Sequence, residues 1–391
     1  MHRSPLLVPG GGMSRTEKGL VVYWNTIPSP YVVDRLNALA AHDELRFEVW
    51  FNERTEADRS WDVDESSWKF SYRYLPKISL LGYSFNLPLY MFLSRPSAIV
   101  MGFGKVSFIF GFLCARIMNI PVGFRVVRVF ESWGTAHPFT QWIRRRMFRM
   151  IFAVETHGRD GAAYARMMGA SKARIFIVPQ TVNPVIYCSD KKSQKVQAQV
   201  LRKKLSLKGI TFIYVGRLWW GKSLDTLLRA FAIVQNRAED PVSLLLIGDG
   251  PEEDKLKRLA CEMGLQNFVI AGFVQQVNLP PYYRASHVFV FPTLGDPYGI
   301  VVDEAMTCGL PVISTTQAGE IHARVEDGVT GFLVPPKDMN ALAEKMLIFV
   351  NNPNLIKKMG KVAKKRVRGH TPENWAKGMI DLYDYLLRQK K

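Results

Sequence analysis

Residues Thr293–Gly309, TLGDPYGIVVDEAMTCG, follow the apolar run His287–Pro292 (HVFVFP) and end before a second such run, which opens at Leu310-Pro311. A short apolar run, a Gly-containing loop and a helically spaced apolar stretch describe a strand, a turn and a helix. Pro297-Tyr298-Gly299 marks the turn, and Ile300-Val301-Val302 through Glu304-Ala305-Met306 carry the helical spacing. Asp296 therefore stands on a loop beyond a strand's carboxyl end, and Glu304 stands in the first turns of the next helix. The free N–H groups and positive dipole end of such a helix start suit a phosphate. Glu304 can accept two hydrogen bonds from a vicinal diol such as a ribose, and the loop carboxylate can do the same for a sugar. Acidic residues are also ordinary caps at helix starts, so the functional case rests on what surrounds them.

The same strand–loop–helix unit repeats on either side of this stretch. Strand Ile210–Val215 leads into Gly216-Arg217-Leu218-Trp219-Trp220-Gly221-Lys222-Ser223 and helix Leu224–Asn236. Strand Val242–Ile247 leads into Gly248-Asp249-Gly250-Pro251 and helix Glu252–Met263, and Phe268–Ala271 leads into Gly272-Phe273-Val274. Strands Pro311–Ser314 and Phe332–Val334 follow, then a run of helices. Alternation at this period predicts a parallel, doubly wound α/β sheet.

A similar series fills the first half: strand Leu20–Trp24, turn Asn25–Pro30, helix Tyr31–Ala41, strand Arg46–Phe51, and further strands at Ala98–Phe103, Pro121–Val127, Ile151–Val154 and Arg174–Val178. Glu53–Tyr74 reads as irregular; its Trp61, Trp68, Tyr72 and Tyr74 suit a small satellite core, or the lining of an acceptor groove. The polar loop Glu131–His137 follows a strand, where α/β proteins place chemistry. Glu131 and His137 are its candidate acid/base groups, although a lone His is more often an ordinary surface residue. Helix Phe139–Phe152 sets Arg144, Arg145, Arg146 and Arg149 among Trp142, Ile143, Met147 and Phe148. That pattern suits a membrane surface or a solvated charged face over a core stripe. Asp190–Lys208, rich in Lys and Gln, reads as a linker that ends as the first helix of a second domain. The expected domains are 1–185 and 186–370, with a last helix in 371–391 returning to the first.

Composition bounds the partners. The 391 residues are 48% hydrophobic and 22% charged, which means a globular chain of about two domains. A formal net charge of +18 favours anionic partners: nucleic acid, acidic lipid or phosphorylated small molecules. Four scattered cysteines with no CxxC pair argue against zinc and against a disulfide framework. A reducing cytoplasm is the expected compartment, with peripheral attachment to the inner face of the membrane as a further expectation. Met1–Gly19 is too polar and broken for a secretory signal, and Gly10-Gly11-Gly12 reads as a flexible leader. Ile78–Leu93 and Val106–Ala115 are uncharged or nearly so but fall short of the roughly 20 apolar residues a span needs.

Loops leaving the carboxyl ends of parallel strands meet on one edge of the sheet. Arg217, Lys222, Gly248-Asp249-Gly250, Phe273-Val274, Asp296 and Glu304 should therefore converge. Two cations, a helix start and two carboxylates on one crevice describe a receptor for a sugar nucleotide, with forked Arg217 and point-charged Lys222 on the diphosphate.

The segments VGRLWWGKSLDTLLRAF, LLIGDGPEEDKL, AGFV, VFPTLGDPYGIVVDEAMTCGLPVIST and EDGVTGFLVPP, in this order and spacing, resemble the retaining GT-B glycosyltransferases often called family 4. The resemblance covers roughly Gly209–Lys345. It implies two Rossmann-like domains facing a cleft, the second binding a UDP- or GDP-linked sugar and the first a glycan or lipid-linked acceptor. It implies no metal and no cofactor beyond the donor. Arg217 and Lys222 would neutralise the departing diphosphate, Glu304 hold the ribose and Asp296 contact donor sugar hydroxyls. Gly299, Ile300 and Val301 would offer N–H groups near the phosphate. Phe273-Val274 would meet the base, and Gly216, Gly248, Asp249 and Gly250 would line the same edge. In this family the leaving diphosphate is commonly held to take the acceptor proton, so the protein positions and stabilises charge.

The chain departs from the family pattern in several places. Asp296 replaces the usual Glu, Trp219-Trp220-Gly221 stand before the Lys, Ala318-Gly319 replaces a double glycine, and no Gly-rich loop follows the first strand. The family's mid-domain His has no clear counterpart; Glu131 or His137 lies closest. A sugar-nucleotide epimerase of similar fold would need acid/base groups around the sugar that no His/Glu set here matches. A basic nucleic-acid or membrane-binding module would leave Asp296 and Glu304 unexplained, because carboxylates repel phosphates.

Overall fold

The computed structural model describes residues 19–55, 61, 64–75, 87–102, 106–127, 138–170, 174–188 and 191–389. The expected leader with Gly10–Gly12, part of the segment 78–93, and both Glu131 and His137 lie outside the described residues.

The first unit runs β1 (Leu20–Asn25), α1 (Pro30–Ala40), β2 (Arg46–Phe51), β3 (Ser71–Tyr74), α2 (Leu87–Ser94), β4 (Ala98–Met101), α3 (Val106–Ile117), β5 (Val122–Val126), α4 (Pro138–Met150), β6 (Ala153–Thr156), α5 (Arg159–Met167) and β7 (Ile175–Ile177). Its seven strands are ordered β3-β2-β1-β4-β5-β6-β7, all parallel. After α6 (Pro184–Cys188) and α7 (Lys191–Lys204) comes the second unit: β8 (Ile210–Val215), α8 (Leu224–Arg237), β9 (Val242–Ile247), α9 (Glu253–Glu262), β10 (Phe268–Ile270), α10 (Pro280–Ala285), β11 (Val288–Phe291), α11 (Ile300–Thr307), β12 (Val312–Thr315), α12 (Ile321–Arg324) and β13 (Gly331–Val334). Helices α13 (Met339–Asn351), α14 (Asn354–Arg366) and α15 (Pro372–Leu387) close the chain. The second sheet is ordered β10-β9-β8-β11-β12-β13, again all parallel.

Two local expectations are corrected. The stretch read as irregular contains β3, a short edge strand paired with β2 from Glu48↔Ser71 to Phe51↔Tyr74. The stretch expected to begin as a linker and end as a helix is already helical from Lys191, as α7, whose apolar face is thin because Val196 and Val200 are exposed. The aromatics of the first of these pack together: Trp68 lies 4.4 Å from Tyr72 and 5.6 Å from Phe51 between ring centroids.

Alternation along β1 builds the first unit's two core layers. Val22 and Trp24 face the layer of α2, α3, α4 and α5, with Phe112, Phe148 and Tyr164. Val21 and Tyr23 face α1 and α15, with Leu36, Trp375 and Tyr383. So α15, which follows the helices of the second unit, returns to the first; its Trp375 indole donates to Glu155 at 3.3 Å. On the outer side of the α2–α4 layer the large side chains Phe92, Leu93, Leu113, Ile117, Phe139 and Trp142 are exposed. Among the described residues no helix is long and apolar enough to cross a membrane.

Candidate active site

In both sheets the strand order reverses next to the first strand, between β1 and β4 and between β8 and β11. Ligands of open α/β sheets bind at this reversal, beyond the carboxyl ends. The loops after β8 and β11 flank the second reversal, and they are stitched together: Leu294 N–H donates to Gly221 O at 2.9 Å, and the Thr293 hydroxyl donates to the same oxygen at 3.1 Å. Lys222 Nζ meets Asp296 Oδ2 at 2.5 Å, with the two side chains 11% and 19% exposed. The Lys222 ammonium also lies 5.0 Å from the Phe291 ring centroid. Burial by itself would raise the Asp296 carboxyl; Lys222 and the Tyr298 N–H outweigh it and hold it below the ordinary carboxylate value. Thus the cation expected at a phosphate and the carboxylate expected at a sugar are joined to each other.

Neighbouring loops continue this edge. Leu218 N–H donates to Asp249 O at 2.7 Å and Gly248 N–H to Gly272 O at 2.8 Å. A Cβ at Gly248 would stand 2.0 Å from Gly216 O, so close backbone approach requires glycine there. Arg217 and the Phe273-Val274 pair follow β8 and β10 on the same edge. Gly299 starts α11 at φ +71, and a Cβ there would meet the Phe291 ring at 2.7 Å.

Glu304 is placed differently from Lys222 and Asp296. It is 4% exposed, one turn into α11, and accepts from the Tyr283 hydroxyl of α10 at 2.8 Å. Burial pushes its carboxyl up to about 7, against the hydroxyls of Tyr187 and Tyr283, which favour the charged form. Tyr283 alone of these two meets hydrogen-bond geometry; Tyr187 acts through proximity. A raised carboxyl beside two phenols is a site where a diol could exchange for a phenol partner.

Several site residues escaped sequence reasoning. Arg324, 1% exposed, pairs with Asp303 at 2.6 Å and donates to Gly299 O at 3.0 Å, Gly319 O at 2.9 Å and Tyr298 O. Gly319 N–H in turn donates to Asp296 O at 2.8 Å. One guanidinium thus binds the loops after β11 and β12 into a single piece. Burial would raise the Asp303 carboxyl, but Arg324 and His370, 2.7 Å away, keep it below its ordinary value. The local signal was a charge at an otherwise apolar helix position, Val302-Asp303; nothing nearby named its partner.

The first unit contributes from the carboxyl edge of β6. His157 is buried; its Nδ1 lies 3.1 Å from Val178 O and its Nε2 3.1 Å from Gln180 Nε2. A carbonyl only accepts, so Nδ1 carries the proton and Nε2 accepts from the amide. Arg35 donates to Gln180 Oε1 at 3.0 Å, which fixes that amide. Burial, with Arg35 next in size, lowers His157 to about 3 and keeps it neutral. Its ring meets Tyr298 of the β11 loop edge-on at 5.7 Å. A small cavity at this seam is lined by Val126, Thr156, His157, Asp160, Pro297 and Glu320. The carboxyl edges of the two sheets therefore face each other.

Two parallel-sheet α/β units meeting edge to edge across a seam define the GT-B class of architecture. The chain superposes on Anabaena HepE, solved with UDP, at TM-score 0.78 over 94% of this chain and 99% of that one, with 16% identity. Residues 197–366, less than half of the chain, match the family described as Glycosyl transferases group 1. It is 26% identical over 286 residues to the alpha-D-kanosaminyltransferase of Streptomyces kanamyceticus, covering 69% of this chain and 71% of that enzyme. It is 34% identical over 155 residues to the capsular polysaccharide biosynthesis glycosyltransferase CapM of Staphylococcus aureus, 39% of this chain and 40% of that protein.

Proposed function

We infer that the chain moves a hexose-type sugar from a UDP- or GDP-linked donor to a glycan or lipid-linked acceptor, with retention and without a metal ion. The observation that carries this is the meeting of Lys222 and Asp296 at 2.5 Å on the two loops that flank the strand-order reversal. A donor entering there offers each its own partner: diphosphate to Lys222 and Arg217, sugar hydroxyls to Asp296. Backbone N–H groups of Gly299, Ile300 and Val301 face the phosphate at the start of α11, and Glu304 takes the ribose diol. The bond from the anomeric carbon to the diphosphate breaks, and a bond from the acceptor oxygen to the same face forms. The acceptor proton goes to the leaving phosphate oxygen. Protein cations stabilise the charge that develops. The relatives support the reading: HepE was solved with UDP, and CapM is named for capsular polysaccharide biosynthesis. Among the described residues the histidine at the seam, His157, is held neutral with both ring nitrogens engaged, so it does not supply the acid/base group an epimerase needs.

Thermal shift with UDP and GDP in chelator tests this. The expected result is stabilisation by one of them, lost in Lys222→Ala; stabilisation only by polyanions of any kind would refute it.

An anionic membrane surface is the second partner. It is supported by the exposed apolar side chains of α2, α3 and α4, which all lie in the layer covering one face of the first sheet. Between Glu65 and Glu155 the sequence holds one acid, Glu131, against 12 Lys and Arg. Replacing Arg144, Arg145 and Arg146 together by Gln should remove about 3 kcal/mol of attraction to anionic lipid. Cosedimentation with vesicles containing phosphatidylglycerol should fall by roughly two orders of magnitude. Equal binding to neutral and anionic vesicles would refute the electrostatic part.

A further inference from the structure

Glu320 begins α12 at φ 54 and ψ 18, the left-handed region that side-chain-bearing residues adopt at a cost. Its carboxylate does not point back at its own unit. Oε1 accepts from Gly161 N–H at 2.9 Å and Oε2 from Asp160 N–H at 3.2 Å, both in the first turn of α5 in the first unit. The bond is returned: Asp160 Oδ2 accepts from Glu320 N–H at 3.1 Å. Gly158 makes the room, since a Cβ there would stand 2.1 Å from Glu320 Oε2.

This exchange joins the two units at the place where the chemistry would occur. Glu320 follows Gly319, whose N–H holds Asp296 O and whose carbonyl is held by Arg324. Arg324 also holds Tyr298 O and Gly299 O, so the Asp296 loop and the Glu320 loop move together. A displacement of Glu320 relative to α5 is therefore a displacement of Asp296 relative to the first sheet.

We propose that Glu320 and Asp160 form a clasp across the seam, and that Glu320 is a positioning residue: it sets the distance between the Asp296 loop and the unit that presents the acceptor. Two features mark the contact as kept for alignment and not for stability. The backbone at Glu320 has a conformation that glycine would adopt without strain. The two acids also repel, and each is held in place by the other's N–H groups. Transfer is sensitive to such alignment, since an error of about 1 Å between reacting groups can cost on the order of 100-fold in rate. The role rests on the transferase reading; the clasp itself does not.

Glu320→Gly and Glu320→Gln test it in the full chain. Four readouts apply: melting temperature, hydrogen exchange at the first turn of α5, titration with UDP and GDP, and turnover of whichever UDP- or GDP-hexose the wild type consumes. Glu320→Gly should melt no lower than wild type, because glycine suits the conformation. Its α5 amides should exchange roughly 10-fold faster, and kcat should fall about 10- to 100-fold with nucleotide affinity within about twofold. Glu320→Gln keeps one acceptor oxygen and should recover part of kcat. Wild-type exchange in Glu320→Gly would overturn the clasp. Wild-type kcat, or a loss that falls wholly on nucleotide affinity, would overturn the positioning role. If the wild type binds neither UDP nor GDP, the transferase reading fails, and the exchange data decide the clasp without it.

Discussion

Replacing Glu304 by Gln should change how stability depends on pH, and the size of the change follows from its burial. The carboxyl is 4% exposed. Burial raises it to about 7 from 4.5, with Tyr187 and Tyr283 opposing and Asp303 adding to the rise. In the unfolded chain it ionises near the ordinary value. Below that value both states hold the proton and the contribution is fully present. As pH rises from 4.5 to about 7 the unfolded state loses its proton and the folded state keeps it, so stability falls; above about 7 both are ionised and the loss stops. At about 1.4 kcal/mol per pH unit the loss amounts to about 3 kcal/mol. Glutamine does not titrate. Urea unfolding of both proteins between about pH 4 and about pH 8 should show the variant gaining about 3 kcal/mol relative to wild type. Parallel profiles would mean that Glu304 is ionised or hydrated in the folded protein, and the reasoning would fail. On the proposed reading, in which Glu304 takes the ribose diol, the ionised form is the better acceptor. Nucleotide affinity in wild type should then rise through about pH 7 relative to the Gln variant.

Other perturbations test separate parts of the site. Arg324→Leu strands Asp303, which is 0% exposed, leaving His370 at 2.7 Å as its hydrogen-bond partner; it should cost about 3–5 kcal/mol in urea unfolding, and a cost under about 1 kcal/mol would show that the pair is replaceable. His157, lowered to about 3, should stay neutral, so its ring NMR shifts should not move between about pH 5 and about pH 9. Because its folded value lies below 6.5, the stability it contributes is complete above 6.5 and is lost as pH falls below it. Lys222→Ala should weaken nucleoside-diphosphate binding by about 2 kcal/mol, or roughly 30-fold by titration calorimetry.

The candidate site was partly legible. Lys222 and Asp296 each stand in a loop just past a strand that the apolar runs Ile210–Val215 and His287–Pro292 announce. Their meeting follows once the sheet is known to be parallel and reversed between β8 and β11. Residues whose role depends on distant partners were not legible: Arg324 bonds to residues from four to 26 positions away, and Glu320 binds a segment 159 positions earlier. No local period encodes such pairs. The β3 strand escaped for a different reason, since a short edge strand with little burial carries little apolar alternation.

By itself the sequence determined that strands and helices alternate twice over, that both sheets are parallel, and which loops sit at their carboxyl edges. Those outcomes rest on apolar spacing and turn residues, which act over a few positions. Tertiary structure decided three things: that Lys222 faces Asp296, that Glu304 is buried deeply enough to hold its proton near neutrality, and that Glu320 and Asp160 join the two units. Each depends on which surfaces the folded chain excludes from water and brings into contact. Desolvation and hydrogen bonding between segments far apart in sequence are properties of the packed molecule.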